Sequence, residues 1–176
     1  MNLEIEIKFE VKTHKGIILG KDFVQTGTGI ERVSFLDLNG MLSTDSKKLR
    51  VKEYNNEVAV TVKQKGKSKD GIKSQPEWPL YSKSNFQETL DFFAALGMKK
   101  IAYYEKKNRD TYNFKDNVIC LDTILENNKP RYFVEVEGLD NDSIIAMSKS
   151  MGIYNPALEA KVMKASYFEM FARKRK

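Results

Sequence analysis

Glu4, Glu6 and Lys8 stand two residues apart in Leu3-Glu4-Ile5-Glu6-Ile7-Lys8-Phe9-Glu10-Val11, with an apolar residue between each pair. Successive side chains of a strand face opposite ways, so two carboxylates and an ammonium share one face within about 14 Å, at roughly 3.3 Å per residue. A row of that kind is either solvated or built to grip something charged. Three later segments repeat it. Leu49-Arg50-Val51-Lys52 sets two cations on one face, Thr61-Val62-Lys63-Gln64-Lys65 extends the same pattern, and Phe133-Val134-Glu135-Val136-Glu137 returns to paired carboxylates. One charged face is the wet side of an ordinary sheet. Several, some acidic and some basic, fit a sheet curved around a polar interior that binds a ligand and its metal ions.

The elements that must position these rows are mostly strands. The pattern predicts strands at residues 3–12, 30–38, 48–54, 57–65, 75–81, 100–106, 107–114, 117–124 and 131–138. Asn55-Asn56 and the region of Asn127-Asn128 supply tight turns, and residues 65–71 read as a charged loop. Residues 13–29 carry Gly16, Gly20, Gly27 and Gly29 and favour no element, although Ile17, Ile18 and Leu19 allow a short helix. A helix is expected to begin at Ser84, with Ser84-Asn85-Phe86-Gln87 as a capping box and Gly97 as its stop. Further helices are expected over residues 142–151 and 157–173. The class is therefore α+β with a largely antiparallel sheet, and residues 1–176 read as a single domain.

Composition narrows the function classes. At 41% hydrophobic and 31% charged residues the chain has the balance of a water-soluble globular domain. No apolar run approaches a membrane span, and the charged opening strand is no signal peptide, so a cytoplasmic protein is expected. The single cysteine, Cys120, excludes an internal disulfide and fits a reducing compartment. The single histidine, His14, has no partner at metal-ligand spacing, which disfavours zinc chemistry and a histidine triad. A formal charge of +6 favours anionic partners. Part of it sits in the terminal cluster Arg173-Lys174-Arg175-Lys176, too short a motif to argue for nucleic acid. Monomer and homodimer both remain open.

Glu4-Ile5-Glu6-Ile7-Lys8 resembles the ExExK signature of the CYTH domains, or triphosphate tunnel metalloenzymes, which include class IV adenylyl cyclases, thiamine triphosphatases and inorganic triphosphatases. The likeness continues in order along nearly the whole chain. Phe35-Leu36-Asp37 is similar to the family's Tyr-Phe-Asp stretch, Leu49-Arg50-Val51-Lys52 to its LRxR strand, and Thr61-Val62-Lys63 to its TxK strand. Lys107-Asn108-Arg109 resembles the KxR pair, Leu121-Asp122 the acidic strand after it, Glu135-Val136-Glu137 the late ExE, and Ser166-Tyr167 the terminal Ser-Tyr. The resemblance implies a closed antiparallel barrel of eight strands, a triphosphate tunnel, with helices packed outside.

It also implies roles. A triphosphate carries several densely packed negative charges and needs several cations to bind it against water. Lys8, Arg50, Lys52, Lys63, Lys107, Arg109 and Lys161 are the candidates. Carboxylates in the same tunnel would repel the phosphates unless a divalent cation lay between them, and hard oxygen ligands suit Mg²⁺ or Mn²⁺. Glu4, Glu6, Glu135, Glu137 and Asp122 are the candidate ligands. Lys8, Glu77 and Glu137 are the catalytic candidates, Lys8 to absorb phosphoryl charge and a carboxylate to orient water. Lys52 stands where the family has a second arginine, and Gln75 where many members have a carboxylate. Three activities fit this pattern: a metal-dependent hydrolase of inorganic triphosphate, thiamine triphosphate or a nucleoside triphosphate; a class IV adenylyl cyclase making cyclic AMP and pyrophosphate from ATP; and a polyphosphate- or RNA-end-binding module without turnover.

Overall fold

The alternation that opens the sequence is built as strand β1 (Asn2–Val11). In the computed structural model, which describes residues 2–172, Lys8 and Glu6 of this strand are buried along with Ile7 and Phe9, so both faces are covered. The terminal basic cluster, residues 173–176, lies outside the described residues. The strands that follow are β2 (Val24–Asp37), β3 (Lys47–Tyr54), β4 (Glu57–Gln64), β5 (Lys67–Lys69), β6 (Ile72–Ser82), β7 (Lys99–Phe114), β8 (Asn117–Glu126), β9 (Lys129–Gly138) and β10 (Lys161–Val162). Eight of them run antiparallel in the order β1-β9-β8-β7-β2-β3-β4-β6, and pairing of β6 with β1 closes the barrel. β5 folds back on the start of β6, and β10 pairs with the end of β1. Closure leaves the charged rows inside and the apolar rows outside, where helices can cover them.

Two outer apolar faces and one inner plug hold the barrel together. Ile7, Phe9, Val11, Val134 and Val136 pack beneath helix α3 (Asn141–Ser150), which contributes Ile144 and Met147. Leu49, Val51, Val58 and Val60 pack beneath Phe86, Leu90 and Phe93 of helix α2 (Phe86–Ala95). Inside one end, Val33, Phe35, Ala102, Tyr104, Ile124 and Phe133 surround Tyr167 of helix α4 (Tyr167–Ala172). Each fully buried large apolar side chain contributes roughly 1.5–3 kcal/mol. A short helix α1 (Met41–Thr44) links β2 to β3, its backbone held by the Asp37 carboxylate. No helix among the described residues is long and apolar enough to cross a membrane.

The turns follow their residue types. Asn55 and Asn56 both take positive φ, 51° and 62°, and so do Asn127 and Asn128, at 51° and 63°. Two successive left-handed residues match the twist of a two-residue hairpin, and asparagine tolerates that region. Four expectations need correction. The α2 cap is Asn85, whose side chain accepts from the Glu88 backbone while Glu88 reaches back, one residue after the Ser84 box. The two strands expected at 100–106 and 107–114 are one continuous β7 with a bulge between Lys106 and Asn108. The loop at 65–71 contains β5, pressed onto β6. The helix expected over 157–173 is a 3-10 turn (Pro156–Leu158), then β10, then α4. Glu159 at φ 48° ends the turn, because a left-handed residue cannot continue a helix. Of residues 13–29, the last six begin β2, and the short helix at Ile17–Leu19 is absent.

Candidate active site

The charged rows meet in one cavity of about 640 Å³ inside the barrel. β1 contributes Glu4, Glu6 and Lys8, β3 contributes Arg50 and Lys52, and β4 contributes Lys63. β6 contributes Glu77, β7 Lys106 and Arg109, and β9 Glu135 and Glu137. β2, which offered no candidate in the sequence, contributes Glu31. Six inner cations thus face six glutamates.

Five of the six glutamates fall into two groups, with Glu77 apart beside Lys63. Glu31 and Glu135 are held by cations: Arg109 donates to both at 2.7 Å, Lys106 lies 2.9 Å from Glu31, and Lys8 lies 3.1 Å from Glu135. These cations hold both carboxyl groups well below the ordinary carboxylate range despite burial. Glu4, Glu6 and Glu137 form the second group, each offering one oxygen within 4.8 Å of the others. Glu137 has no direct ion-pair partner among the described residues. Burial first, then the neighbouring Glu4 and Glu135, pushes its carboxyl up to about 7. Glu4 goes the other way. Lys63 donates to it at 2.7 Å and Gln75 at 2.6 Å, and with nearby Arg50 they overcome burial and bring it down to about 2. A carboxylate cluster in which burial and like charge raise one member's pKa is an environment a hard divalent cation relieves. Three carboxylates fit Mg²⁺ or Mn²⁺, which keep water in their remaining positions.

This sets a pH dependence. A carboxyl raised in the folded state contributes stability below its unfolded pKa and loses it as pH rises through the folded value. Glu137 is therefore expected to make the metal-free protein lose stability between about pH 4.5 and 7, on the order of 3 kcal/mol. Glu4, lowered, loses its contribution as pH falls from 4.5 towards 2. Urea unfolding in a chelator at pH 5 and pH 8 reads the first effect, and Mg²⁺ is expected to remove most of the loss at pH 8. An equal midpoint at both pH values in the chelator contradicts the cluster.

The structure brings Glu4, Glu6, Lys8, Arg50, Lys52, Lys63, Glu77, Arg109, Glu135 and Glu137 to the cavity. Three candidates fall elsewhere. Lys107 points outward, its side chain 50% exposed and paired with Glu105 at 2.6 Å. The β7 bulge turns Lys106 inward in its place, so Lys106 and Arg109 share the inner face although they stand three positions apart. Lys161 is exposed on β10, opposite Glu10. Asp122 is fully buried behind the cavity wall, 2.8 Å from Lys106 and 3.3 Å from Arg109, and accepts from Tyr167 at 3.2 Å. It serves those cations and does not reach the Glu4–Glu6–Glu137 cluster.

A barrel of this strand order with opposed ionic walls is the arrangement implied by the sequence motifs. Residues 2–162 match the model of the CYTH domain. The chain belongs to the CYTH domain family. Among solved structures, the CYTH barrel here superposes on HpAC1 from Hippeastrum with a TM-score of 0.72, at 17% identity over 97% of this chain and 95% of that one. That protein is described as an adenylyl cyclase candidate with a dominant triphosphatase activity. PH1012 from Pyrococcus horikoshii gives 0.73 at 19% identity, covering 94% and 98%. An adenylate cyclase candidate from Vibrio parahaemolyticus gives 0.70 at 16% identity, covering 96% and 97%. At these identities the likeness is one of fold. A comparison with curated proteins returned no significant match.

Sequence reasoning missed Lys106, Glu31 and Lys73. A lysine pair followed by Asn108 could have signalled either register in β7. Glu31 lies in a predicted strand and only its side-chain direction was unread. Lys73 sits one residue into β6, between the loop expected at 65–71 and the strand expected at 75–81.

Proposed function

We propose that this CYTH chain is a metal-dependent triphosphate hydrolase acting on inorganic triphosphate or a triphosphorylated small molecule. One observation carries the reading: the Glu4–Glu6–Glu137 cluster opens into the same cavity as Lys8, Arg50, Lys52 and Lys63. A polyanion held by those cations would meet the carboxylates only with a cation between them. When bound there, a divalent ion supplies Lewis-acid polarisation of the phosphoryl group. The rest falls to the chain itself. The Arg50 Nε is buried without a hydrogen-bond partner, so its fork has a donor left for phosphate oxygens. Lys8, held charged by Glu135 and Glu6 against burial, is placed to absorb charge on the non-bridging oxygens. Glu77, whose buried Oε2 lies 3.2 Å from the Lys63 ammonium without a hydrogen bond, is our candidate to orient the attacking water.

The cyclase reading needs a pocket for adenine. The aromatic rings at the cavity are engaged with one another: Phe35 packs edge-on against Phe168 at 4.9 Å and lies 6.2 Å from Tyr104, and Tyr104 meets Tyr167 at 5.4 Å. The hydrolase is favoured for that reason, and the triphosphatase activity described for the Hippeastrum protein supports it. Incubation with inorganic triphosphate and with ATP, each with Mn²⁺, followed by resolution of products, tests the choice. Phosphate and pyrophosphate from triphosphate are expected. Cyclic AMP with pyrophosphate from ATP overturns the hydrolase, and binding without turnover of either compound overturns both enzyme readings.

A further inference from the structure

The inner wall is balanced, but the rim is not. Where β3 begins, β4 ends and β5 folds onto β6, the same cavity is lined by Lys48, Lys65, Lys67, Lys73 and Lys164. The carboxylate beside them in the lining is Glu169, and it is occupied: its oxygen accepts from the Ser166 backbone at 2.7 Å and from the Ser166 hydroxyl at 3.0 Å. Lys47, next to this arc, has its own counterion in Asp45 at 3.3 Å. Three of the arc lysines, Lys65, Lys67 and Lys164, are exposed. Lys73 links the arc to the interior, because its Nζ is buried and makes no hydrogen bond. The excess positive charge of the cavity therefore lies outside the inner ring that would hold three phosphates.

The arc is built and not a loose tail of lysines. β5 is hydrogen-bonded to β6 with Lys67 opposite Ser74. Gly66 is pressed so close to β6 that a Cβ there would lie 1.8 Å from the Ser74 carbonyl oxygen. That close approach holds Lys65 and Lys67 at the rim. Burial lowers the pKa of Lys48, and Lys73, Lys63 and Lys65 add to this while Glu169 opposes it, so one carboxylate faces several lysines.

We propose that this lysine arc is a subsite for phosphate units beyond the third, so that the tunnel takes a linear polyphosphate chain whose end enters the inner site. The proposal rests on the triphosphatase reading of that inner site. Lysines are point charges on flexible stems and suit a flexible chain of equal charges in no fixed register, whereas arginine forks suit a fixed phosphate. RNA would be read in part by stacking its bases on aromatic faces. At the rim, Phe168 has the Lys48 ammonium over its ring at 4.3 Å, which leaves that face to the cation. A chain without bases is favoured over a 5′-triphosphorylated RNA.

The test is calorimetric binding to the full chain in a chelator, so that turnover is absent. The ligands are inorganic triphosphate, a long-chain polyphosphate and a 5′-triphosphorylated RNA oligomer. The triple variant Lys65→Gln, Lys67→Gln, Lys164→Gln changes exposed residues only and is compared with the unaltered chain. Long-chain affinity is expected to fall about tenfold in the variant, with triphosphate affinity unchanged. Equal losses for both ligands, or no loss for either, overturn the subsite. Tighter binding of the RNA than of polyphosphate through the same three lysines also overturns it. Absence of metal-dependent phosphate release would remove the triphosphatase reading while this binding difference stayed readable.

Discussion

Glu6→Gln is expected to lower the rate of triphosphate hydrolysis by roughly 10³-fold while leaving the barrel folded and the anion bound. Glu6 is one of three carboxylates that converge within 4.8 Å, and its side chain is 9% exposed. The amide keeps the shape but loses the charge, and a metal's electrostatic contribution to a phosphoryl transition state is several kcal/mol, which converts to a factor of that order. Binding of triphosphate in a chelator is expected to hold or tighten, because a negative charge 3.7 Å from the Lys8 ammonium has gone. Phosphate release at saturating substrate and calorimetry without metal separate the two effects. A variant that keeps full turnover excludes Glu6 from metal binding. One that loses turnover and metal-free binding together shows a broken pocket instead.

Lys106→Ala is expected to cost about 3–5 kcal/mol of stability, against a change within about 0.5 kcal/mol for Lys107→Ala. The adjacent lysines differ because of one inserted residue. Lys106 is 1% exposed, and its ammonium lies within 3.4 Å of Glu31, Asp122 and Glu135. Its removal leaves three buried carboxylates with Arg109 as the remaining shared counterion. Burial has already pushed Asp122 up to about 6, so part of the loss is expected to return below that pH as the carboxyl takes a proton. Lys107 makes a surface pair of the kind that contributes 0–1 kcal/mol at most. Urea midpoints at pH 8 read the difference. Equal midpoints for the two variants contradict the bulged register.

That contrast also marks where sequence reasoning stops. Strict alternation in β1 and β9 made Glu4, Glu6, Lys8, Glu135 and Glu137 visible, because a regular strand converts spacing directly into a face. A sheet curved around a polar interior followed from several such faces of mixed charge, and its closure into an antiparallel barrel from the resemblance to the CYTH domains. A bulge breaks the conversion. Lys107 and Arg109 share a face in a regular strand, but the residue inserted after Lys106 rotates the chain and substitutes its neighbour. Lys161 was misplaced for a different reason. The residues around it have helical composition, yet Glu159 is left-handed and the chain leaves as an edge strand against β1. Asp122 was recognised as acidic, but its place behind Lys106 and Arg109 depends on the third dimension. The convergence of Glu4, Glu6 and Glu137, apart from the Arg109-held Glu31 and Glu135, was invisible for the same reason, since Glu135 and Glu137 sit on the same strand.

In the proposed function, carboxylates and cations of opposite walls meet one polyphosphate through a divalent ion. Electron paramagnetic resonance of Mn²⁺ titrated into the protein, before and after addition of inorganic triphosphate, tests it most directly. The free-ion signal is expected to fall as Mn²⁺ binds, to change again when triphosphate enters, and to persist at full height in a variant carrying Glu4→Gln, Glu6→Gln and Glu137→Gln. A protein that leaves the Mn²⁺ signal untouched, or a bound signal indifferent to triphosphate, contradicts the account.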